Sequence, residues 1–249
     1  MDEVTPGKGM RFGSLFAGVG GFDLGLERAG MQCAWQVEID PFCRQVLAKH
    51  WPDVPRYEDV RDVGAGNLAW VDVIAGGFPC QDISNAGKRE GIEGERSGLW
   101  TEFARIIREL RPRYVIVENV AALLVRGMGT VLGDLATCGY DAEWTMLSAC
   151  AFGAPHSRPR VFVLAYATGS GCQARSADRL GIVTTGNGQA TASPHSALSD
   201  PRRAWGRAST VERVADGVPH RVDRLRALGN AVLPQVAEWL GRRIVEAAS

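Results

Sequence analysis

Short apolar runs alternate with amphipathic helical segments along the first half of this 249-residue chain. The apolar runs predict β-strands at residues 11–16, 33–39, 71–75 and 114–117. Helices are predicted at residues 22–29 and 41–50, where Pro41 suits the first helical position. Strands that alternate with helices assemble into a parallel sheet covered by helices on both faces. The sequence therefore predicts a doubly wound, mostly parallel α/β fold.

Further predicted strands and helices extend this sheet and cover it. The helix before the fourth strand carries its apolar side chains on one face, namely Leu99, Phe103, Ile106, Ile107 and Leu110. Two more β-rich runs, at 140–147 and 161–165, are expected to close one edge of the sheet. A last helix, opened by Pro234, has an apolar stripe of Val236, Leu240 and Ile244. That stripe must pack against another part of the chain.

The composition changes after residue 167, where Gly, Ser, Thr and Ala with scattered Arg replace the hydrophobic periodicity. The formal net charge is +0, but residues 1–149 hold 15 basic and 21 acidic residues, and residues 150–249 hold 13 and 7. A basic end suits a phosphate-backbone binder, although a solvated basic face gives the same count. We divide the chain into a disordered lead at 1–9, a main domain at 10–167, a small inserted lobe at 168–224 and a C-terminal segment at 225–249.

The cysteine pattern argues against two kinds of site. The six cysteines contain no Cys-x-x-Cys pair, so neither a zinc cage nor a disulfide framework has its usual spacing. No apolar stretch reaches the roughly twenty residues that span a bilayer. We therefore expect a cytoplasmic protein without metal or membrane contact.

A glycine-rich turn follows the first predicted strand and contains Phe16, Gly18, Gly20 and Gly21. In open α/β sheets ligands bind outside the carboxyl ends of the strands, where glycines allow close approach to the backbone. The turn lacks the G-x-G-x-x-G spacing typical of nicotinamide sites. Glu38, at the end of the second strand, could accept hydrogen bonds from both hydroxyls of a ribose. Surface acids at strand ends are the alternative interpretation.

Two reactive side chains follow later strands. Cys80, within Pro79-Cys80-Gln81, comes just after the run 71–75, and an exposed thiol there would be a strong nucleophile once ionised. Glu118 comes directly after the run 114–117. Both could share one rim of a parallel sheet. A buried structural cysteine and a capping carboxylate are the alternative readings.

Four segments together resemble the DNA (cytosine-5)-methyltransferase family, and the match covers most of the chain. They are Phe-Ala-Gly-Val-Gly-Gly at 16–21, Gly-Gly-Phe-Pro-Cys-Gln at 76–81, Glu-Asn-Val at 118–120 and Arg-Ala-Leu-Gly-Asn-Ala-Val at 226–232. The resemblance implies a Rossmann-like methyltransferase sheet with a small inserted target-recognition lobe. It also implies transfer of a methyl group from S-adenosyl-L-methionine to flipped-out cytosine in double-stranded DNA. We expect a monomer, with a cognate restriction endonuclease acting on the same site.

The resemblance assigns roles to individual residues. Cofactor binding is assigned to Phe16, Gly18, Gly20, Gly21, Glu38, Ile39, Asp59, Val60, Pro79, Leu99 and Asn230. Cys80 would attack carbon 6 of cytosine, and Glu118 would protonate the ring at nitrogen 3. Arg158 and Arg160 match the family's Gln-x-Arg-x-Arg pattern, whose last arginine binds the cytosine 2-carbonyl. His156 stands where the family has glutamine, so a hydrogen bond from that position is in doubt.

Two other functions remain open from the sequence. Transfer-RNA cytosine-5 methyltransferases can resemble the same Pro-Cys-Gln and Glu-Asn-Val pattern, so the motifs do not separate DNA from RNA. A non-catalytic, cofactor-bound DNA-binding module is the third alternative, against which the intact Cys80, Glu118 and Arg160 argue. The sequence identifies neither the target site nor a bacterial or phage origin.

Overall fold

The structure, a computed structural model, describes residues 9–79, 98–168 and 221–249. Within these residues one sheet of seven strands has the order β3-β2-β1-β4-β5-β7-β6. The strands are β1 (Arg11–Leu15), β2 (Gln32–Val37), β3 (Arg56–Tyr57), β4 (Val73–Gly76), β5 (Tyr114–Val120), β6 (Tyr140–Ser148) and β7 (Pro159–Ala167). Strands β1 to β5 pair in parallel, whereas β7 pairs antiparallel with both β5 and β6. The predicted mostly parallel α/β sheet is confirmed.

Helices cover both faces of this sheet. They are α1 (Gly21–Arg28), α2 (Pro41–His50), α3 (Gly98–Leu110), α4 (Leu123–Arg126), α5 (Met128–Thr137), α6 (Arg221–Asn230) and α7 (Pro234–Ala248). Helix α2 matches its predicted bounds because Asp40 caps it, with the side chain accepting from the N–H groups of Phe42 and Cys43. Buried Phe103, Ile106 and Ile107 of α3 pack into the larger core cluster, as the apolar stripe predicts.

The last helix packs on the first one through two glycines. A Cβ at Gly25 would lie 2.4 Å from the Cβ of Ala237, and one at Gly241 would lie 2.7 Å from the Cβ of Ala29. Helices α1 and α7 therefore approach closely on the face that also buries Phe12 and Ile116. The stripe of Val236, Leu240 and Ile244 is buried there, so the last helix packs against α1 and the sheet.

Several elements were not anticipated. Strand β3 has only two half-buried residues, too few to show a hydrophobic period. Helix α5 has glycines at 129 and 133, which weaken a helical signal. Strand β5 is longer than the predicted run 114–117, because its pairing with β7 continues to Val120 opposite Arg160.

Some expectations fall partly or wholly outside the described residues. They concern Cys80, most of the lobe at 168–224, and nearly all of the lead at 1–9. In the parts that the structure describes, no group of three His, Cys, Asp or Glu side chains could hold a metal ion. No described helix combines the length and apolar character needed to cross a membrane.

Candidate active site

A cavity of about 450 Å³ opens where the parallel strands β1, β2, β4 and β5 end. This is the edge at which open α/β sheets bind ligands. The predicted site residues on its wall are Phe16, Gly18, Glu38, Ile39, Asp59, Val60, Pro79, Leu99, Glu118, Arg160 and Asn230. One cavity therefore brings the predicted cofactor residues together with Glu118 and Arg160. Gly20, Gly21 and Arg158 do not line it, and Cys80 lies outside the described residues.

Glu38 connects the glycine turn to the start of α2. Its Oε2 atom accepts from the Gly18 N–H at 2.7 Å, and its Oε1 atom accepts from the Asp40 N–H at 2.8 Å. The residue is 8% exposed, and burial raises the pKa of its carboxyl, while the two N–H donors oppose that shift. Each oxygen still has a lone pair for another donor. The Glu38 carboxylate is thus held in place and can accept from a ligand hydroxyl.

Gly20 and Gly21 are needed for backbone shape and packing behind the cavity. Gly20 has φ of 86°, a left-handed conformation that favours glycine, and it precedes the first residue of α1. A Cβ at Gly21 would lie 2.2 Å from the carbonyl oxygen of Val232. These contacts explain both glycines without a ligand, so their assignment to cofactor binding stays a prediction.

Two further residues of the predicted cofactor site, Asp59 and Ile39, add an acid and an exposed apolar side chain to the cavity wall. The Asp59 carboxylate accepts from the Arg61 N–H at 2.9 Å and caps the short 3₁₀-helix Val60–Asp62. Ile39 is 65% exposed although it is a large apolar residue. Ligand pockets are lined mostly by apolar side chains, so the exposed Ile39 is available to pack against a ligand.

Glu118 lies inside β5, not after it, and is 8% exposed. Arg160 on the neighbouring strand β7 approaches it, with 3.0 Å between Nε of Arg160 and Oε1 of Glu118. Burial raises the pKa of Glu118 to about 7, and the positive charges of Arg160 and Arg158 limit the rise. The carboxyl group can therefore hold or release a proton near neutral pH.

The segment that leads to Cys80 passes directly against Glu118. A Cβ at Gly77 would lie 2.6 Å from Oε2 of Glu118, so glycine permits this approach. The Asn119 side chain donates to the carbonyl of Phe78 at 3.3 Å. Pro79, the last described residue before Cys80, lines the cavity. Strand β5 thus contacts the chain just before the predicted nucleophile.

Arg158 lies beside the cavity and contacts the C-terminal part of the chain. Its Nη1 atom donates to the carbonyl of Leu228 in α6 at 3.2 Å, and burial lowers the pKa of its guanidinium. Its backbone has φ of 29°, which is strained for a residue with a side chain. It borders a small void shared with Glu118 and Arg160. His156, two residues earlier, is exposed.

Sequence reasoning missed Asp40, Cys43, Glu58 and Arg61 on the cavity wall. Phe78 and Arg226 also line it, and they lie within the quoted motifs although no role was assigned to them. Asp40 could have been found, because an aspartate directly before Pro41 is a common start of a helix. Cys43, Glu58 and Arg61 reach the cavity through the path of the chain, which no local pattern reveals.

Comparisons with known proteins identify the family of the chain. The family described as C-5 cytosine-specific DNA methylase matches residues 10–203. Type II methyltransferase M2.BsuMI of Bacillus subtilis is 37% identical over 164 residues, covering 63% of this chain and 42% of that protein. Type II methyltransferase M.HhaI of Haemophilus parahaemolyticus is 33% identical over 162 residues, covering 64% of this chain and 49% of that protein. The chain matches less than half the length of these relatives.

A solved structure extends the likeness of fold to nearly the whole chain. The Entamoeba histolytica methyltransferase EhMeth superimposes with a TM-score of 0.67, covering 97% of this chain and 99% of that one. The two sequences are 14% identical, so this likeness concerns the fold alone.

Proposed function

The chain belongs to the C-5 cytosine-specific DNA methylases, and we propose that it transfers a methyl group from S-adenosylmethionine to carbon 5 of cytosine in duplex DNA. The observation that carries this proposal is the single cavity shared by Glu38, Asp59, Glu118 and Arg160. Glu38 and Asp59 can accept hydrogen bonds from a nucleoside, and the acid–arginine pair of Glu118 and Arg160 can bind a base. All four side chains line the same cavity. Methyl transfer needs a cofactor and a base side by side.

The cofactor part of the proposal rests on the chemistry of the cavity wall. Its volume of about 450 Å³ falls within the range of about 300 to 1,000 Å³ common for small-molecule sites. Glu38 would accept from the ribose hydroxyls, Asp59 would accept from the adenine amine, and the exposed Ile39 would cover the adenine ring. When bound, S-adenosylmethionine supplies an electrophilic methyl group. The residues present fit this group.

The base part of the proposal rests on Glu118 and Arg160. A carboxyl group with a pKa of about 7 retains a proton in a large fraction of molecules at neutral pH. In that state Glu118 can donate to ring nitrogen 3 of cytosine as negative charge builds in the ring. Arg160 has only hydrogen-bond donors and would bind the 2-carbonyl oxygen. The pair would therefore orient the base and draw electron density toward nitrogen 3.

The nucleophile in this mechanism is Cys80, proposed from the sequence. Its thiolate sulfur bonds to carbon 6, the carbon 5–carbon 6 π electrons form a carbon 4–carbon 5 double bond, and the carbon 4–nitrogen 3 π electrons take the proton of Glu118. The resulting enamine is nucleophilic at carbon 5. As carbon 5 gains the methyl group, with S-adenosylhomocysteine as the leaving group, the carbon 4–nitrogen 3 double bond re-forms and nitrogen 3 returns its proton to Glu118. A base then removes the carbon 5 proton. The sulfur–carbon 6 bond then breaks, which restores the ring and the thiolate.

The test replaces the proposed nucleophile. Cys80→Ala should abolish methyl transfer and leave binding of S-adenosylhomocysteine intact, because the thiol activates the base and not the cofactor. Cys150→Ala is the matched control, since Cys150 is an exposed free thiol that does not line the cavity. With 5-fluorocytosine in the DNA, the fluorine blocks elimination and mass spectrometry should find a protein–DNA adduct. Retained turnover in Cys80→Ala contradicts the mechanism.

The nucleic acid and the partners are further parts of the proposal. Transfer of a radiolabelled methyl group to duplex DNA, compared with transfer RNA, separates the proposed substrate from the RNA alternative. Cofactor binding without turnover on either would favour a non-catalytic DNA-binding module. The similarity to Type II methyltransferases supports a cognate restriction endonuclease as a partner. We further propose that the enzyme acts as a monomer and reads its target with the arginine-rich lobe at 168–224.

A further inference from the structure

The wall of the cavity at residues 58–61 is formed by a loop and not by a strand or a long helix. Glu58, Asp59, Val60 and Arg61 all line the cavity there. The loop contains only the three-residue 3₁₀-helix Val60–Asp62, which is too short to hold its own position. Its position relative to the cavity must therefore come from contacts with other parts of the chain.

Arg105 on α3 supplies contacts to this loop from behind. Its Nη2 atom donates to the carbonyl of Val60 at 3.1 Å and to the carbonyl of Val63 at 2.8 Å. These carbonyls lie 45 and 42 residues earlier in the sequence. Arg105 thus joins the middle of a core helix to both ends of the 3₁₀-helix on the cavity wall.

Two carboxylates hold the Arg105 guanidinium in that orientation. Its Nε lies 2.7 Å from Oε2 of Glu102, and its Nη1 lies 2.9 Å from Oε1 of Glu109. Ion pairs three and four residues apart on a helix contribute little to stability by themselves. Here they occupy two guanidinium nitrogens and leave the third for the loop carbonyls. The planar fork of arginine suits this arrangement.

Glu109 also contacts the loop directly. Its Oε2 atom accepts from the Ala65 N–H at 3.1 Å. A Cβ at Gly64 would lie 2.2 Å from that same oxygen and 3.0 Å from Nη1 of Arg105. Glycine at 64 therefore leaves room for both side chains to reach the loop. The N-terminal turn of α3 brings Leu99 to the same cavity, so one helix supports two parts of its wall.

We infer that Arg105, together with Glu109, is a positioning residue pair that holds the loop around Asp59 and Val60 in the shape that recognises the adenine of the cofactor. This inference rests on the proposed function, because it takes the cavity to bind S-adenosylmethionine. Neither Arg105 nor Glu109 lines the cavity, so both act through the loop.

The experiment measures binding of two probes to the full chain by titration calorimetry. The probes are S-adenosylhomocysteine and S-inosylhomocysteine, which differ only in adenine against hypoxanthine. Arg105→Gln should weaken S-adenosylhomocysteine about tenfold, the loss expected when one charged hydrogen-bond set is removed. The preference for adenine should fall at the same time. Arg108→Gln, an exposed arginine on the same helix, is the charge-matched control and should bind like the wild type.

A glycine pair tests the same inference without removing a charge. Gly64→Ala should displace Glu109 and Arg105 and weaken S-adenosylhomocysteine severalfold. Gly66→Ala is its control, since nothing lies within 4 Å of a Cβ there, and it should not change binding. This pair also decides the matter if Arg105→Gln does not fold.

The outcomes separate the two claims. If the wild type binds S-adenosylhomocysteine and the Arg105→Gln and Gly64→Ala variants bind it equally well with the same base preference, the positioning role is overturned and the proposed function stands. A lower melting temperature with unchanged affinities would give Arg105 a role in stability alone. If the wild type binds neither probe, the proposed function fails, and the positioning role fails with it.

Discussion

Glu38 and Glu118 are two buried carboxyl groups at the same edge of one sheet, and each is 8% exposed. Backbone N–H groups of Gly18 and Asp40 surround Glu38. A guanidinium, that of Arg160, approaches Glu118. Burial raises the pKa of both carboxyls, and for Glu118 it reaches about 7. The two carboxyl groups are therefore equally buried but face different hydrogen-bond donors, backbone N–H groups at Glu38 and a guanidinium at Glu118.

The difference teaches what each carboxyl is suited to do. Peptide N–H groups hold both oxygens of Glu38 as acceptors in one orientation, which suits a group that accepts hydrogen bonds from a ligand. Glu118 has one oxygen beside Arg160 and the other beside the backbone of Gly77, where no donor hydrogen bond to it is formed among the described residues. It is suited to exchange a proton. We expect mutations at the two positions to separate binding from chemistry.

The largest expected effect is on the chemical step. Glu118→Gln keeps the size of the side chain but removes the transferable proton, so single-turnover methyl transfer should slow by about 10² to 10⁴. The affinity for S-adenosylhomocysteine should stay within about twofold of the wild type. Glu27→Gln, at an exposed position of α1, is the control. A Glu118→Gln variant that loses only cofactor affinity would move Glu118 into the cofactor site.

A smaller effect is expected at Glu38, and it should fall on binding. In Glu38→Gln an amide NH₂ group must face either the Gly18 or the Asp40 N–H, so a donor meets a donor. Calorimetry should show S-adenosylhomocysteine bound about 10- to 100-fold more weakly, the usual cost of losing a charged acceptor. Single-turnover rates at saturating cofactor should remain close to the wild type. If Glu38→Gln instead slows the chemical step and keeps its affinity for S-adenosylhomocysteine, Glu38 and Glu118 do not have the different roles proposed for them.

The smallest effect is a shift in pH dependence. If protonated Glu118 is the active form, the rate falls as the pH rises through about 7, the pKa of Glu118. The positive charge of Arg158 lowers that pKa, so Arg158→Gln should move the midpoint to higher pH by up to about 1 unit. Arg113→Gln, just before the other end of β5, should leave the midpoint in place. A midpoint that stays or moves to lower pH in Arg158→Gln would show that Arg158 does not tune Glu118.

Much of the fold was predictable because its signals are local. The bounds of α2 follow from Pro41 and the apolar positions after it, and the structure confirms them. Strand β5 was predicted too short, since its last residues are held by pairing with β7, which lies about forty residues later. The antiparallel pairing of β7 with β5 and β6 was not predicted for the same reason, because the path of the chain sets which strands pair.

The residues of the candidate site also divide into those that local motifs predicted and those that only the structure revealed. Motifs and strand ends identified Glu38, Asp59 and Glu118 as residues that could share one edge, and the structure places them on one cavity wall. They did not reveal Arg105, whose side chain looks like any other arginine on an amphipathic helix. The sequence analysis assigned Gly21 to a ligand-binding turn. In the structure, a side chain at this position would collide with the carbonyl oxygen of Val232, so packing alone requires glycine there.

The sequence by itself determined most of the strands and helices, apart from elements such as β3 and α5, and the types of reactive side chain, because hydrophobic periodicity and short motifs depend on neighbours along the chain. Only the tertiary structure decided that Glu118 faces Arg160, that its pKa rises to about 7, and that Arg105 reaches Val60 and Val63. Burial and the sign of nearby charge set the proton affinity of an acid. Both are supplied by residues far away in the sequence, which only folding brings within contact distance.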